Sequence, residues 1–280
     1  MPTQLADLRA AYRQHLASSV KPGTYRLYNG RLDFIFDFLD ICECQQLSPS
    51  LILRYRAERQ VKASSLNTDL RILKAFLNWA VSFEYLESNP LHRVKALPEL
   101  EDVDRRALDD DEVQRLLVTR RGTIWRFLIA TGLRKSEFIQ LIRSDLDFQK
   151  LQINIRRAIT KRSRSRIIPL PQSLADRLCS EVNGAGPKEP AFLNSRHRAW
   201  GNNGALLSAL YTDLDRANIE PTGVDLHALR KTCATRMIAA SVDVKTVQYI
   251  LGHATCQLTL DIYTEYQSRK NDDLTRAMEI

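Results

Sequence analysis

Two arginines stand where a folding chain would normally place leucines. In ATGLRKSEFIQL (130–141), a short helix beginning at Thr131-Gly132-Leu133 would carry Arg134, Glu137, Phe138 and Leu141 on one face. Burying an unpaired guanidinium is costly, so Arg134 needs an anion, either Glu137 three residues on or a ligand. In the helix starting near Asp225, Leu226, Leu229, Arg230, Cys233, Met237 and Ala240 trace one stripe, again with an arginine among apolar residues. His227 projects from the adjacent turn on the same side. A lone histidine there would read as a core residue. A histidine and an arginine at a helix start, where backbone N–H groups also favour anions, suit a phosphate better. His253 follows Leu251-Gly252, glycine being favoured just past a helix end, and so sits at a chain reversal. Ten residues on, Tyr263 falls on a helix capped by Thr255. By itself it reads as a packed aromatic with a hydrogen-bonded hydroxyl. Beside cations it could ionise more easily than at its ordinary pKa near 10. Residues 156–166 add six basic side chains in eleven.

Singly these features are weak; their order is not. An arginine in a Gly-Leu-Arg turn is followed by a basic hairpin, His-x-x-Arg, Leu-Gly-His and a tyrosine. In ATGLRKSEFIQL, TKRSRSRIIPL (160–170), LHALRKTCATRM (226–237) and LGHATCQLTLDIYT (251–264) the chain closely resembles the tyrosine recombinase (phage integrase) family, in its Xer-like two-domain form. The resemblance is strong over 130–270 and looser over 1–95. It implies a site-specific DNA recombinase, cleaving and rejoining strands through a 3′-phosphotyrosyl intermediate, in integration, excision or resolution. Arg134 and Arg230 would clamp the scissile phosphate, with Glu137 in support. Tyr263 would be the nucleophile and Lys161 would protonate the leaving 5′-oxygen. His227 and His253 would assist proton transfer or bind the phosphate. No ATP, metal or other cofactor is implied. Arg162 follows Lys161 where the family often has glycine, and Lys161 is chosen over Arg162, Arg164 and Arg166 by its distance from the Ile-Pro-Leu strand. Lys231 and Glu265 replace histidines common in the family. Tyr266, and less so Tyr249, compete as nucleophiles. The rival readings are a type IB topoisomerase relaxing supercoils, and a DNA-binding protein that has lost catalysis.

Elements that must position these groups follow from periodicity. Segments 5–18, 23–41, 47–60, 64–83 and 108–119 read as helices, with Tyr28, Leu32, Ile35 and Leu39 at helical spacing in the second. In 64–83, Ser64 or Ser65 is the expected N-cap, and Leu66, Leu70, Leu73, Leu77 and Ala80 form the apolar stripe. Arg71, Lys74 and Asn78 lie off that stripe, on a face that is either solvated or set against DNA. With Ser64, and with Arg162, Arg164 and Arg166 of the hairpin, they are candidate DNA contacts. LQINIR (151–156) alternates like a half-buried strand, and RIIPL (166–170) reads as its partner. Residues 1–95 form the expected helical core-binding domain, 96–106 a linker around Pro98, and 107–280 the catalytic domain. The fold class is mostly α with a small β-sheet: a SAM-like N-terminal helical bundle followed by a mixed α/β catalytic domain.

Bulk properties agree with a DNA partner. The 280 residues carry a net charge of +8, divided as +3 over residues 1–100 and +5 over the rest. Two mildly basic halves fit one shared polyanion. The five cysteines are odd in number and scattered, and read as free thiols in a reducing compartment, not as a metal site. With no apolar leader or spanning segment, the expected location is cytoplasmic and nucleoid-associated. By resemblance the partner is a double-stranded DNA recombination site, held in a C-shaped clamp. The working form would be a homotetramer assembled on that DNA, with the C-terminal tail (264–280) exchanged between subunits. The chain starts almost at the core-binding helices, so no arm-binding domain is expected.

Overall fold

The computed structural model describes residues 4–98, 105–160, 164–182, 186–201, 203–253, 255, 257, 259–264 and 266–267, with backbone alone at 181–182. Lys161, Arg162 and the tail from 268 onward lie outside the described residues. The chain divides into two compact units, Met1–Asp102 and Val103–Ile280.

Among the described residues the first unit is helical: α1 (Leu5–Ser19), α2 (Pro22–Leu39), α3 (Pro49–Glu58) and α4 (Ala63–Ser82). Leu32, Ile35 and Leu39 of α2 and Leu66, Leu70, Leu73 and Leu77 of α4 are buried together, so the helical stripes meet in one core. Lys62, not Ser64 or Ser65, holds the N-cap position of α4, because the first helical N–H groups, of Ser65 and Leu66, bond to its carbonyl. The buried carboxylate of Asp69 accepts hydrogen bonds from Tyr55 Oη (2.8 Å) and Arg59 Nη1 (2.7 Å), tying α3 to α4. Polar positions of α4 hold the following segment. Lys74 Nζ donates to the carbonyls of His92 (3.1 Å) and Val94 (2.7 Å), and Asn78 Oδ1 accepts from Asn89 Nδ2 (2.6 Å). Lys74, a candidate DNA contact, thus gives two of its three N–H groups to backbone carbonyls of its own unit. Arg71 and Asn78 are exposed and Ser64 half-buried.

The second unit opens with α5 (Asp110–Leu117), capped reciprocally by Asp109 and Glu112. α6 (Gly122–Thr131) follows, then the single turn α7 (Lys135–Phe138). Here the sequence expectation is corrected. Thr131 ends α6, Gly132 terminates it in the left-handed region (φ 60°), and Arg134 stands at the N-cap of α7, so Leu141 lies past the helix. Strands β1 (Leu146–Asp147), β2 (Gln152–Ile155) and β3 (Arg166–Pro169) form an antiparallel sheet in that order, with Ile153 opposite Ile168 and Ile155 opposite Arg166. Leu151, expected in the strand, sits at φ 50° in the turn before it.

Helices α8 (Gln172–Val182), α9 (Ala205–Arg216), α10 (Leu226–Ala239) and α11 (Val244–Leu251) follow. Asp225 caps α10 through the N–H groups of His227 and Ala228, and Asp243 caps α11 through Thr246. The buried stripe of α10 runs through Ala228, Leu229, Arg230, Cys233, Ala234 and Ile238, while Ala240 is exposed. Fully buried Asp213 of α9 accepts from Trp125 Nε1 (2.8 Å) and Arg121 Nη1 (2.9 Å), fastening α6 to α9. α10 packs along α6 and against α11, which brings Gly132, Arg230 and Gly252 together. Residues 259–264 are again helical. No helix among the described residues is long and apolar enough to cross a membrane.

Candidate active site

Glu137, fully buried in α7, is the hub. Arg166 grips it with two parallel bonds, Nη1 to Oε1 (3.0 Å) and Nη2 to Oε2 (2.8 Å), and donates Nε to the Ile250 carbonyl (2.7 Å). Arg134 Nη1 shares Oε1 at 3.1 Å, and its Nη2 donates to the Gly252 carbonyl. Burial alone would raise the Glu137 carboxyl, but hydrogen bonding and charge from Arg166, and then Arg134, hold it below the usual carboxylate range. Each of the three nitrogens of the buried Arg166 guanidinium has an acceptor inside the fold. The expectation that it contacts DNA is corrected: it is a strut that joins β3, α7 and α11.

Arg230, only 6% exposed, donates Nη1 to the Gly132 carbonyl at 2.7 Å, while its Nη2 is buried with no hydrogen-bond partner among the described residues. Burial first, and then the charge of Arg134, push its pKa down to about 9, which leaves it cationic at neutral pH. Two guanidinium groups thus share one carboxylate and Arg230 adds a third positive charge nearby, an excess that a bound anion would offset. His227 opens α10 above Arg230. Its pKa is lowered by partial burial against the opposing pull of Asp225, with Arg105, Arg230 and Arg134 adding repulsion.

Gly252 ends α11 at φ 64°, and the His253 N–H reaches back to the Gln248 carbonyl (3.1 Å), the closing bond of a Schellman turn. A side chain at Gly252 would press on the Arg166 guanidinium, within 3.0 Å of Nη1. His253 is pushed down to about 4, by burial and then by Arg230, Arg134 and Arg166 in that order. Its Nδ1 lies 2.9 Å from Thr259 Oγ1. Arg134, Thr160, Arg164, Lys245, Tyr249 and His253 line a cavity of about 680 Å³ above this network.

The structure therefore gathers Arg134, Glu137, Arg166, Arg230, His227 and His253 into one electrostatic cluster. Tyr263 stands 39% exposed on the following helix, linked to the cluster by Thr259 one turn earlier. Tyr266 packs beside Val247 and Leu251, and the Tyr249 hydroxyl accepts the Ile167 N–H at 3.2 Å. Arg164 is exposed on the cavity rim; Lys161 and Arg162 lie outside the described residues. Sequence reasoning missed the inward role of Arg166, although its parity with Ile168 and Leu170 points it to the core. Thr259 and the acceptor carbonyls of Gly132 and Gly252 carried no comparable signal.

Comparison with known proteins gives the family and the fold. The phage integrase family model matches residues 106–270, and the phage integrase N-terminal SAM-like domain matches residues 10–83. The chain is 28% identical over 243 residues to the tyrosine recombinase XerD of Rickettsia bellii, covering 77% of each. It is 27% identical over 300 residues to the XerC-like tyrosine recombinase of Caldanaerobacter subterraneus, covering 88% of this chain and 75% of the relative. Among solved structures, the Tn1549 transposon integrase in complex with transposon right-end DNA superposes with a TM-score of 0.73 at 22% identity, over 97% and 99% of the two chains. A lambda integrase tetramer bound to a Holliday junction gives 0.74 at 17% identity, over 92% and 77%. This chain belongs to the phage integrase family. It is an enzyme of the tyrosine-recombinase type, a site-specific recombinase of the Xer kind.

Proposed function

We propose that the enzyme binds a duplex recombination site and that Tyr263 attacks one phosphodiester, forming the 3′-phosphotyrosyl bond as the bond to the 5′-oxygen breaks. The observation that carries this is Arg230, a buried cation whose Nη2 has no hydrogen-bond partner among the described residues, beside a second guanidinium, Arg134, that shares the Glu137 carboxylate with Arg166. Arg230 and Arg134 would bind the non-bridging phosphate oxygens and offset the charge that builds up at phosphorus. His227 and His253 are both held below their ordinary pKa by burial, so each can hydrogen-bond the phosphate, and His227 can assist transfer of the tyrosine proton. Lys161, on the basic hairpin, would supply the proton to the leaving 5′-oxygen. Reversal with a new 5′-hydroxyl rejoins the strand without ATP, because the phosphotyrosine retains the bond energy. Arg164 at the cavity rim, Arg162 beside Lys161, and Ser64, Arg71 and Asn78 in the first unit would contact the DNA backbone.

DNA as the partner is supported by the DNA complexes of the Tn1549 and lambda integrases, and assembly as a homotetramer by the lambda integrase tetramer on its junction. Exchange of the C-terminal tail between subunits belongs to the same reading. A half-site substrate that loses its short 5′ fragment after cleavage tests the chemistry. Wild type should accumulate an SDS-resistant protein–DNA adduct, and Tyr263→Phe should keep site binding while forming none. An adduct that survives in Tyr263→Phe, and disappears in Tyr266→Phe, would move the nucleophile and overturn the assignment.

A further inference from the structure

Thr259, between the Leu-Gly-His turn and Tyr263, has no part in the chemistry described above, yet it is fully buried with Oγ1 2.9 Å from Nδ1 of His253. It precedes Tyr263 by four residues in the helical stretch 259–264, so the two side chains leave one helix face a turn apart. We propose that Thr259 is a positioning residue: its hydroxyl donates to His253 Nδ1, fixes the ring proton on Nε2, and fastens the Tyr263 helix to the Leu-Gly-His turn. The inference rests on the reading of His253 as a phosphate-facing group.

The chemistry follows from how few protons the site allows. Burial, and then the charges of Arg230, Arg134 and Arg166, keep the His253 ring neutral at neutral pH, so it carries a single N–H. Whatever meets one ring nitrogen decides the role of the other. If Nδ1–H donated to Oγ1, Nε2 would turn a lone pair towards the place where phosphate oxygens must lie. With the hydroxyl as donor, Nε2–H becomes a further hydrogen-bond donor to the anion. The same bond adds a polar tie, beside the apolar packing of Ile262 and Tyr266, between the turn that places His253 and the helix that bears the nucleophile.

The test combines a spectroscopic and a kinetic readout on the full chain. Nitrogen-15 NMR of ring-labelled histidine in the DNA-bound Tyr263→Phe protein should show His253 as the Nε2–H tautomer. Thr259→Val, which keeps the shape and removes the hydroxyl, should abolish that preference and slow covalent-adduct formation about tenfold, one hydrogen bond's worth, with unchanged site binding. Thr259→Ser should restore both. In a His253→Gln background Thr259→Val should cost nothing further. An Nδ1–H tautomer in the parent, a Val variant as fast as wild type, a Ser variant as slow as Val, or an undiminished Val effect without His253 would each overturn the proposal. A wild type that makes no adduct at all would instead defeat the assignment of the chemistry, and the tautomer measurement would still decide the role of Thr259.

Discussion

At His253 the electrostatics of the site become measurable. An ordinary histidine titrates near 6.5, but this one is held near 4 because a buried ring facing three arginines resists a further positive charge. The unfolded chain therefore binds more protons than the folded one between these values, so this group makes stability rise with pH across that window. Its contribution is complete above about pH 6.5 and is lost as pH falls towards 4. His227 shifts in the same direction and acts with the same sign. Chemical denaturation of the DNA-free protein from pH 4 to 7 should show wild type losing stability towards acid more steeply than His253→Gln. Equal slopes would mean that the ring is solvated, and that the three guanidinium groups do not act on it. Phosphate binding should relax the constraint, because an anion beside the ring favours its protonated form.

Among the elements, the turn between α6 and α7 does most to place the cluster. Gly132 lies at φ 60°, its carbonyl receives Arg230, and a Cβ there would drive into Leu251 Cδ2 and stand 3.1 Å from Cys233 Sγ. Leu251 and Cys233 are themselves buried, so neither can yield. Gly132→Ala should cost roughly 2–4 kcal/mol, from left-handed backbone strain together with overpacking. A urea titration checks this, and a loss below about 0.5 kcal/mol would show the turn to be far more pliant than its packing implies. The helical stripes of α2, α4 and α10, the caps at Asp225 and Asp243 and the reversal at Gly252 are legible in the sequence because each is a local pattern. Arg230 stands out for the same reason, as a cation inside an apolar stripe. What pairs with what is not local. Arg166 meets Glu137 across 29 residues and Arg230 meets Gly132 across 98, so a basic run that reads as a DNA-facing hairpin conceals a buried strut. The bonds of Lys74 are hidden in the same way, since the carbonyls that engage it belong to a loop some twenty residues later. The true length of α7 is hidden too, because Leu141 keeps helical spacing and stays buried after the helix has ended.

At the scale of the whole molecule, each unit has its own core. Leu32, Phe36, Leu73, Phe76 and Leu77 anchor one, and Trp125, Phe127, Phe138, Ile153 and Leu210 the other. Every side chain of the arginine and histidine cluster comes from the second unit, whereas both halves of the chain are mildly basic. Binding and chemistry should therefore separate. The fragment 103–280 should fold alone and give a single cooperative denaturation curve, since its core does not depend on residues before 103. Its affinity for duplex should be lower than that of the full chain. The logarithm of its binding constant should also fall less steeply with the logarithm of salt concentration, because fewer phosphates are neutralised and each accounts for a slope of about 0.9. Fluorescence anisotropy of a labelled duplex, titrated from 50 to 300 mM salt, reads both quantities. Identical slopes for fragment and full chain would mean that the first unit adds no phosphate contacts and that its basic residues, Arg71 among them, face solvent.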